Sequence, residues 1–582
     1  MRSFFKMFFA SLLSIFVFSL LVFFIFMAVV AGLASKEKPS IENKSVLVLN
    51  LGEHFPEKQQ TGLSAKINGT SEVPGLYDVV RLIQYAKTDN NISGIYIQAD
   101  NNANGFASSN EIRNALMDFK SSKKFILAYG DMMSQGAYFV GSAADKIYVN
   151  PAGMFDWKGY AVSLAFVKGL LDKLKINPQI FYAGKFKSAT EPLRATEMTP
   201  ENELQTKEWL NDLYNYFLSK AAASRGVDTA TLHQLANTAA IQTPQDALKY
   251  RLIDAVKYDD EVRAEIKQKL GLGKTDKLNL VNMNTYHEAH SLRKTGKDRV
   301  AVIYAEGNIV DGEGGSDNIG GDNFRKMIRK ARMDNSVKAI VLRVNSGGGS
   351  ALASEIIWRE LKMAKEDGKP VVVSFGDVAA SGGYYIACGA DSIFASANTI
   401  TGSIGVFSVV PDMSGFFKDK LGITFDGVKT GTYADAPTIS RALNDAEKQQ
   451  MQNSVDRIYM QFKQRVAEGR KKDINYIDSI AQGRVWSGMD ALQNGLVDRI
   501  GSLQDAIASA GRLAKLKDYG LKEYPESVNW LDDLLGKNKP EPAAIMKSQL
   551  GDDNYRIYKE LLQVKEMTRS VQARLPFEFF LH

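Results

Sequence analysis

The chain has 582 residues, 45% hydrophobic and 24% charged, which excludes disorder and fibrous structure and, at roughly 150 residues per domain, asks for several domains or an internal duplication. Its net charge of +6, from 72 basic and 66 acidic residues, comes with no long basic run, so the footprint of a nucleic-acid binder is missing and no nucleic-acid partner is expected. One cysteine, Cys388, rules out an internal disulfide framework and a cysteine-rich zinc site.

From Met7 to Ala34 the chain carries no charge and is dominated by Phe, Leu, Ile and Val. As a helix this is about 42 Å long, against about 30 Å of bilayer hydrocarbon. A cleaved signal peptide is the rival, helped by the small residues Gly32 and Ala34 ahead of Ser35, but the apolar region is longer than such signals use. Residues 1–44 are therefore expected to be a short stub, a lipid-embedded anchor and a juxtamembrane segment. Arg2 and Lys6 precede the span and Lys36 and Lys38 follow it, so charge alone does not orient it.

Short apolar runs at 46–51, 92–97, 125–129 and 146–149 alternate with helical patterns at 76–87 and 110–120. Later runs at 300–304, 339–344, 371–375 and 392–394 repeat the plan. This is a layered α/β pattern, in which active groups sit at strand-to-helix turns. Long amphipathic helices are predicted over 199–225 and 444–470. The domains expected are a first repeat, 45–270, a polar and irregular linker, 271–297, a second repeat, 298–510, and a tail, 511–582, packed outside the repeats. In that tail Lys537-Asn-Lys-Pro-Glu-Pro542 breaks the pattern before a helix predicted over 554–574.

The two repeats align at a shift of about 245 residues. Ala86-Lys-Thr-Asp-Asn-Asn-Ile-Ser-Gly-Ile-Tyr-Ile97 parallels Ala331-Arg-Met-Asp-Asn-Ser-Val-Lys-Ala-Ile-Val-Leu342, and Asp246-Ala-Leu-Lys-Tyr-Arg-Leu-Ile-Asp254 parallels Asp490-Ala-Leu-Gln-Asn-Gly-Leu-Val-Asp498. The chemistry is sought where the copies stop matching. Ser381, in Ala379-Ala-Ser-Gly-Gly-Tyr384, stands opposite Gln135. Val344-Asn-Ser-Gly-Gly-Gly-Ser350, which could offer backbone N–H groups to an oxyanion, stands opposite Ala99-Asp-Asn-Asn-Ala-Asn-Gly105. In the other direction, Tyr182-Ala-Gly-Lys-Phe-Lys-Ser-Ala-Thr-Glu-Pro192 offers Lys185 and Lys187, and nothing in Val428-Lys-Thr-Gly-Thr-Tyr-Ala-Asp-Ala-Pro437 answers Lys187. Each copy alone is incomplete.

A serine nucleophile needs a base, and none of the five histidines, His54, His233, His287, His290 and His582, lies in a glycine-rich motif or a matched segment. His287-Glu-Ala-His290 lacks the zincin spacing, so no metal is expected there. Lysine is the alternative. With an ordinary pKa near 10.4 it must be brought down by about three units, roughly 4 kcal/mol of charge desolvation, to serve as a base at pH 7. Lys187 of one copy placed against Ser381 of the other, in a buried seam, would explain both losses at once.

These motifs resemble the signal peptide peptidase A (protease IV) family in its long double-repeat type, over nearly the whole chain. The resemblance implies a tandem duplication of the Clp protease/crotonase superfamily α/β unit behind an amino-terminal transmembrane helix. It implies Ser381 as nucleophile, from Ala-Ser-Gly-Gly-Tyr-Tyr, and Lys187 as general base, from Gly-Lys-Phe-Lys-Ser-Ala. Ser403 in Thr401-Gly-Ser-Ile-Gly405, where the first copy has Trp157, would orient the lysine. The family's Asn-Ser-Pro-Gly-Gly-Ser stands here with Gly347 in place of proline, which leaves Gly348 and Gly349 both open as oxyanion donors, beside Gly382. No cofactor is implied. The resemblance further implies residual signal peptides as substrates, a homotetramer, and an inner-membrane anchor with the catalytic body in the periplasm. The rivals are a crotonase-like acyl-CoA enzyme on the same fold and an inactive membrane-tethered scaffold. Cys388, seven residues after Ser381, is expected to be a small buried hydrophobe, and Tyr384 and Tyr385 are expected to pack.

Overall fold

The structure, a computed structural model, describes residues 2–34, 38–59, 73–290, 292, 294–315, 317–526 and 571–575. Helix Arg2–Ala34 opens the described residues, and its stretch Ser3–Ile25 is long and apolar enough to cross a membrane and is exposed among the described residues.

In the first half six parallel strands form one sheet, in the spatial order Ala255–Val256, Lys146–Phe155, Phe125–Met133, Ile92–Gln98, Ser45–Asn50 and Leu280–Asn282. Both faces of such a sheet are covered, so its central strands are continuous apolar runs rather than alternating ones: Ile95, Tyr96 and Ile97 are all buried. Helices Leu76–Ala86 and Phe106–Phe119 pack on one face. Each large apolar side chain withdrawn from water here is worth roughly 1.5–3 kcal/mol.

The second half repeats the plan. Arg299–Glu306, Val337–Ser346, Val371–Ala380 and Ile400–Gly402 run parallel, with Gly520–Tyr524 added at one edge and Val485–Ser487 antiparallel at the other. The helices expected over 199–225 and 444–470 are Pro200–Arg225 and Asp445–Arg470, each opened by a side-chain cap, from Thr199 and Asn444.

Two segments differ from the sequence expectation. The irregular linker carries strand Leu280–Asn282 and helix Met283–Ala289, whose Met283 and Tyr286 are buried in the first core; two or three apolar residues are too few to show a period. The helix expected over 554–574 lies largely outside the described residues, and its end, Gln572–Arg574, is a strand.

A third sheet is built from both halves and the tail. Its order is Asn318–Gly320, Asn308–Val310, Gly348–Ser350, Gln572–Arg574, Val406–Asp412 and Asn177–Ala183. The last pair is antiparallel over seven residues, from Val406 opposite Ala183 to Asp412 opposite Asn177. This pairing welds the first half to the second beside the site described below.

The halves also meet around Arg343, which is fully buried. Its guanidinium donates to Glu57 Oε2 at 2.8 Å and Glu111 Oε1 at 2.7 Å, both from the first half, and to Ser374 Oγ and the Phe375 carbonyl, each at 2.9 Å. Asp377 caps helix Phe106–Phe119, accepting from Ala107 N at 2.7 Å and Ser108 N at 3.0 Å. Glu306 accepts from Glu57 N at 3.2 Å; burial, and then the Glu57 charge, push its carboxyl up to about 7. Folded protein therefore keeps a proton on Glu306 that the unfolded chain has lost, and stability falls as pH rises from about 4.3 towards that value. Glu306→Gln is expected to remove this fall: the melting temperature rises at pH 8 and barely moves at pH 5, and a scan in both buffers checks it.

Candidate active site

Strand Val371–Ala380 runs straight into Ser381, which caps helix Gly382–Ala387 with φ 55° and ψ −115°. A left-handed serine costs about 1–3 kcal/mol and persists only where its surroundings fix it. Here Ser381 N donates to the Gly402 carbonyl and the Ser381 carbonyl accepts from Tyr385 N, both at 2.8 Å. The sharp turn throws Oγ out of the strand's line, between the two halves. Tyr384 and Tyr385 are buried, and Cys388 is buried with its thiol pushed up to about 12 by desolvation, so it is an inert hydrophobe.

Lys187 arrives from the other half, four residues beyond the end of strand Asn177–Ala183. Its Nζ lies 2.9 Å from Ser381 Oγ, 3.0 Å from Ser403 Oγ and 3.1 Å from the Ser403 carbonyl. Ser381 has 0% of its surface exposed, and Lys187 and Ser403 have 1% each. With no carboxylate against it among the described residues, desolvation alone holds the amine well below its ordinary 10.5. Lys185, by contrast, is exposed over the Phe186 ring.

Ser403 also has a positive φ, 51°, and its N–H donates to the Arg484 carbonyl. The segment 482–484 touches both turns: Phe186 N donates to the Gln482 carbonyl and Gly483 N to the Ile404 carbonyl, each at 2.8 Å. Gln205, buried on helix Pro200–Arg225, braces the same region. Its Nε2 donates to the Phe186 carbonyl at 3.0 Å and its Oε1 accepts from Val485 N at 3.1 Å. Neither 482–484 nor Gln205 carries a motif in the sequence, because their role is contact between distant segments.

In the glycine-rich loop, Ser346 Oγ donates to the Gly307 carbonyl at 2.6 Å and accepts from Gly348 N at 3.2 Å. Gly348 has φ 100°, and a Cβ there would fall 2.7 Å from Gly382 N, so only glycine lets this loop close on the turn after Ser381. Strand Gln572–Arg574 lies along the loop, with Gly349 opposite Ala573. The flanking bonds, Leu575 N to the Gly347 carbonyl at 2.8 Å and Ala351 N to the Val571 carbonyl at 3.2 Å, fix the alternation of this antiparallel ladder. Gly349 N–H therefore faces the Ala573 carbonyl. Among the loop amides, that of Gly348 is turned to Ser346 and that of Gly349 to the Ala573 carbonyl.

The equivalent place in the first half is filled by structure. Gln135 Oε1 accepts from Lys158 N and Gly159 N, and its Nε2 donates to the Gly159 carbonyl, all at 2.9 Å. Trp157 is buried, with its indole N–H on the Leu232 carbonyl. His287 and His290 lie on or beside helix Met283–Ala289, away from these residues in the chain and in the fold; no cluster of three or more metal-ligating side chains occurs among the described residues.

The sequence model of peptidase family S49 matches twice, over residues 118–273 and 363–517, in step with the internal repeat. Protease 4 of Salmonella typhi is 40% identical over 79% of this chain and 75% of its own length. Protease 4 of Haemophilus influenzae is 35% identical over 86% of this chain and 83% of its own. An Enterococcus faecium protein provisionally named signal peptide peptidase SppA is 33% identical over 49% of this chain and 82% of its own.

Proposed function

Because this chain belongs to peptidase family S49, and is a peptidase, we propose that it is a membrane-anchored endopeptidase in which Lys187 and Ser381 form a catalytic dyad across its two halves. The observation that carries the reading is the 2.9 Å contact between a buried, uncompensated amine and a serine hydroxyl on a strained turn.

The chemistry is acyl transfer. Neutral Lys187 accepts the Ser381 proton as Oγ attacks the peptide carbonyl carbon. The carbonyl oxygen becomes an oxyanion held by Gly382 N–H and an amide of the glycine-rich loop, that of Gly348 or Gly349. The Lys187 ammonium returns the proton to the departing amine, leaving an ester on Ser381. Water, deprotonated by Lys187, then attacks the ester and releases the acid. Ser403 is a positioning residue, aiming Nζ with its hydroxyl and carbonyl. Ser403→Ala is expected to lower kcat by about 10-fold to 100-fold with little change in KM, a loss consistent with misaligning a general base; steady-state kinetics on one peptide check it.

Signal peptide remnants are the substrates we assign. The name of the Enterococcus relative and the resemblance of the motifs support this, and such peptides suit a peptidase tethered to a membrane. We place the anchor in the inner membrane and the body in the periplasm. A homotetramer would cover the apolar side chains left exposed at Leu170, Leu421, Ile423, Phe425 and Val428. Labelling of the detergent-solubilised chain by a fluorophosphonate, mapped to Ser381 and lost in Ser381→Ala, tests the reading. A crotonase-like acyl-CoA enzyme or an inactive scaffold would leave Ser381 unlabelled and a synthetic signal peptide uncut.

A further inference from the structure

Away from the dyad, the second half holds a cavity of about 390 Å³ between helices Ala351–Glu366 and Asp445–Arg470 and the end of helix Gly382–Ala387. Its apolar wall includes Leu361, Val371, Ile386 and Ala390. Val371 opens the ten-residue strand whose far end leads into Ser381, roughly 30 Å away along the strand, so the cavity is separate from the dyad. We propose that it is a second binding site, which takes a short apolar peptide with free termini, the class of molecule that the peptidase proposed above releases. The lining stands without that reading; the choice of a peptide as occupant rests on it.

The polar groups of the cavity are arranged for a ligand with two charged ends. Trp358 is buried, and its indole Nε1 has no hydrogen-bond partner among the described residues; a buried N–H left in that state is costly. It faces Gly389, where a Cβ would fall 2.9 Å from it, so glycine keeps the space before the N–H open. Arg465 lies 4.1 Å and Lys362 5.2 Å from the centre of the Trp358 ring. Arg465 is held by Glu355 at 2.7 Å, and Lys365 by Asp391 at 3.0 Å. Lys362 has no ion pair among the described residues, its one contact there being the indole face, and its ammonium can meet an anion. At the mouth Glu366 and Glu468 are exposed and loosely paired, at 3.5 Å with Arg359 and 3.7 Å with Arg465. A donor N–H and an ammonium beside an apolar wall suit a carboxylate on an apolar body, and the two exposed carboxylates suit an ammonium at its other end. A fatty acid would leave those carboxylates unanswered.

The first half shows the same place closed. Lys120 and Lys365 correspond in the two copies and make the same contacts: Lys120 lies on the Ala144 carbonyl and beside Asp145, and Lys365 on the Gly389 carbonyl and beside Asp391. Those contacts recur because they hold the fold. Trp358 does not recur. Arg113 stands in its place and bridges the gap, its Nη2 donating to Ser224 Oγ at 2.8 Å and to the Lys220 carbonyl at 3.4 Å on helix Pro200–Arg225. Met117 stands in place of Lys362, Ala144 in place of Gly389 and Ser224 in place of Gly469. The second half therefore has an indole that bridges nothing where the first has an arginine that does, with a cation and two glycines around the opening. A volume of about 390 Å³ is near the lower end of small-molecule sites, about 300–1,000 Å³, which suits a peptide of two or three residues.

Calorimetric titration of full-length Ser381→Ala in nonionic detergent tests the site, with the dipeptide Leu-Leu, its carboxamide and octanoate as probes. Lys362→Met and Trp358→Phe are added on the same background: the first gives the second half the side chain that the first half has there, and the second keeps the ring and removes the N–H. Leu-Leu is expected to bind, the carboxamide about tenfold more weakly, and octanoate no better than the carboxamide. Each variant is expected to weaken Leu-Leu about tenfold. In Lys362→Met the acid and the carboxamide are expected to bind alike, a loss of discrimination that a merely structural lysine would not produce. No binding of Leu-Leu at millimolar concentration, or equal binding of acid and carboxamide by the parent chain, overturns the proposal. So does an affinity that neither variant changes, which would place the dipeptide elsewhere, and so does octanoate bound more tightly than Leu-Leu, which would make the cavity a lipid site. Fluorophosphonate labelling of wild-type Ser381, run alongside, tests the peptidase reading separately: its absence with acid-selective binding of Leu-Leu intact removes that reading and leaves the site.

Discussion

Lys187→Met is expected to lower kcat/KM for peptide hydrolysis on the order of 10⁴-fold while making the protein more stable at neutral pH. The first effect follows from losing the only base within reach of Ser381 Oγ among the described residues. The second follows from burial. In the unfolded chain the amine holds its proton up to about pH 10.4; in the folded chain desolvation drives it off well below 10.5. Between those two values the unfolded state binds the extra proton, so wild-type stability rises with pH across the window and the cost is greatest at its acid end. Methionine fills the same channel without a charge to desolvate, so the slope disappears and the melting temperature at pH 7 goes up. Hydrolysis by the wild type is expected to rise with pH through the depressed lysine value. Arginine cannot substitute, because it stays charged throughout. Retained hydrolysis in Lys187→Met, or a lower melting temperature at pH 7, would contradict the assignment of a neutral buried base.

Both effects depend on a seam whose two sides were legible separately in the sequence. Ser381 could be picked out because its copy holds Gln135, and Lys187 because nothing in 428–437 answers it. A duplication supplies its own control in this way: residues kept for packing recur, as in Tyr138 and Tyr384, which both donate from their hydroxyls to a backbone carbonyl of the core. The strand and helix runs were legible too, since central parallel strands are short unbroken apolar stretches. Illegible was whatever is fixed only by a distant partner. Strand Leu280–Asn282 has, among the described residues, a single neighbour, Ser45–Asn50. Gln572–Arg574 reads as the end of a helix until Gly348–Ser350 and Val406–Asp412 offer it their edges. The pairing of Asn177–Ala183 with Val406–Asp412 spans more than 200 residues and leaves no periodic trace, yet it delivers Lys187 to Ser403.

Gly483→Ala tests that delivery without touching any reacting atom, and is expected to lower kcat by about 10²-fold, the loss that a misplacement near 1 Å can cause. Gly483 has φ 76°, and a Cβ there would come within 2.6 Å of Lys187 N and 2.7 Å of both Lys187 Cα and Cβ. Main-chain atoms cannot rotate aside as a side-chain tip does. The neighbouring bonds, Phe186 N to the Gln482 carbonyl and Gly483 N to the Ile404 carbonyl, leave the lysine turn as the part that yields, and Nζ moves with it. A widened seam also rehydrates the amine, so its pKa climbs back towards the ordinary value and the acid limb of the pH–rate profile shifts upward. A packing defect remote from the dyad would lower stability yet leave that limb where it was. An unchanged kcat with an unchanged limb would mean that Lys187 is placed by the Asn177–Ala183 pairing alone. The two contacts can then be separated by Gln205→Leu, which removes the brace on the Phe186 carbonyl while leaving the glycine in place.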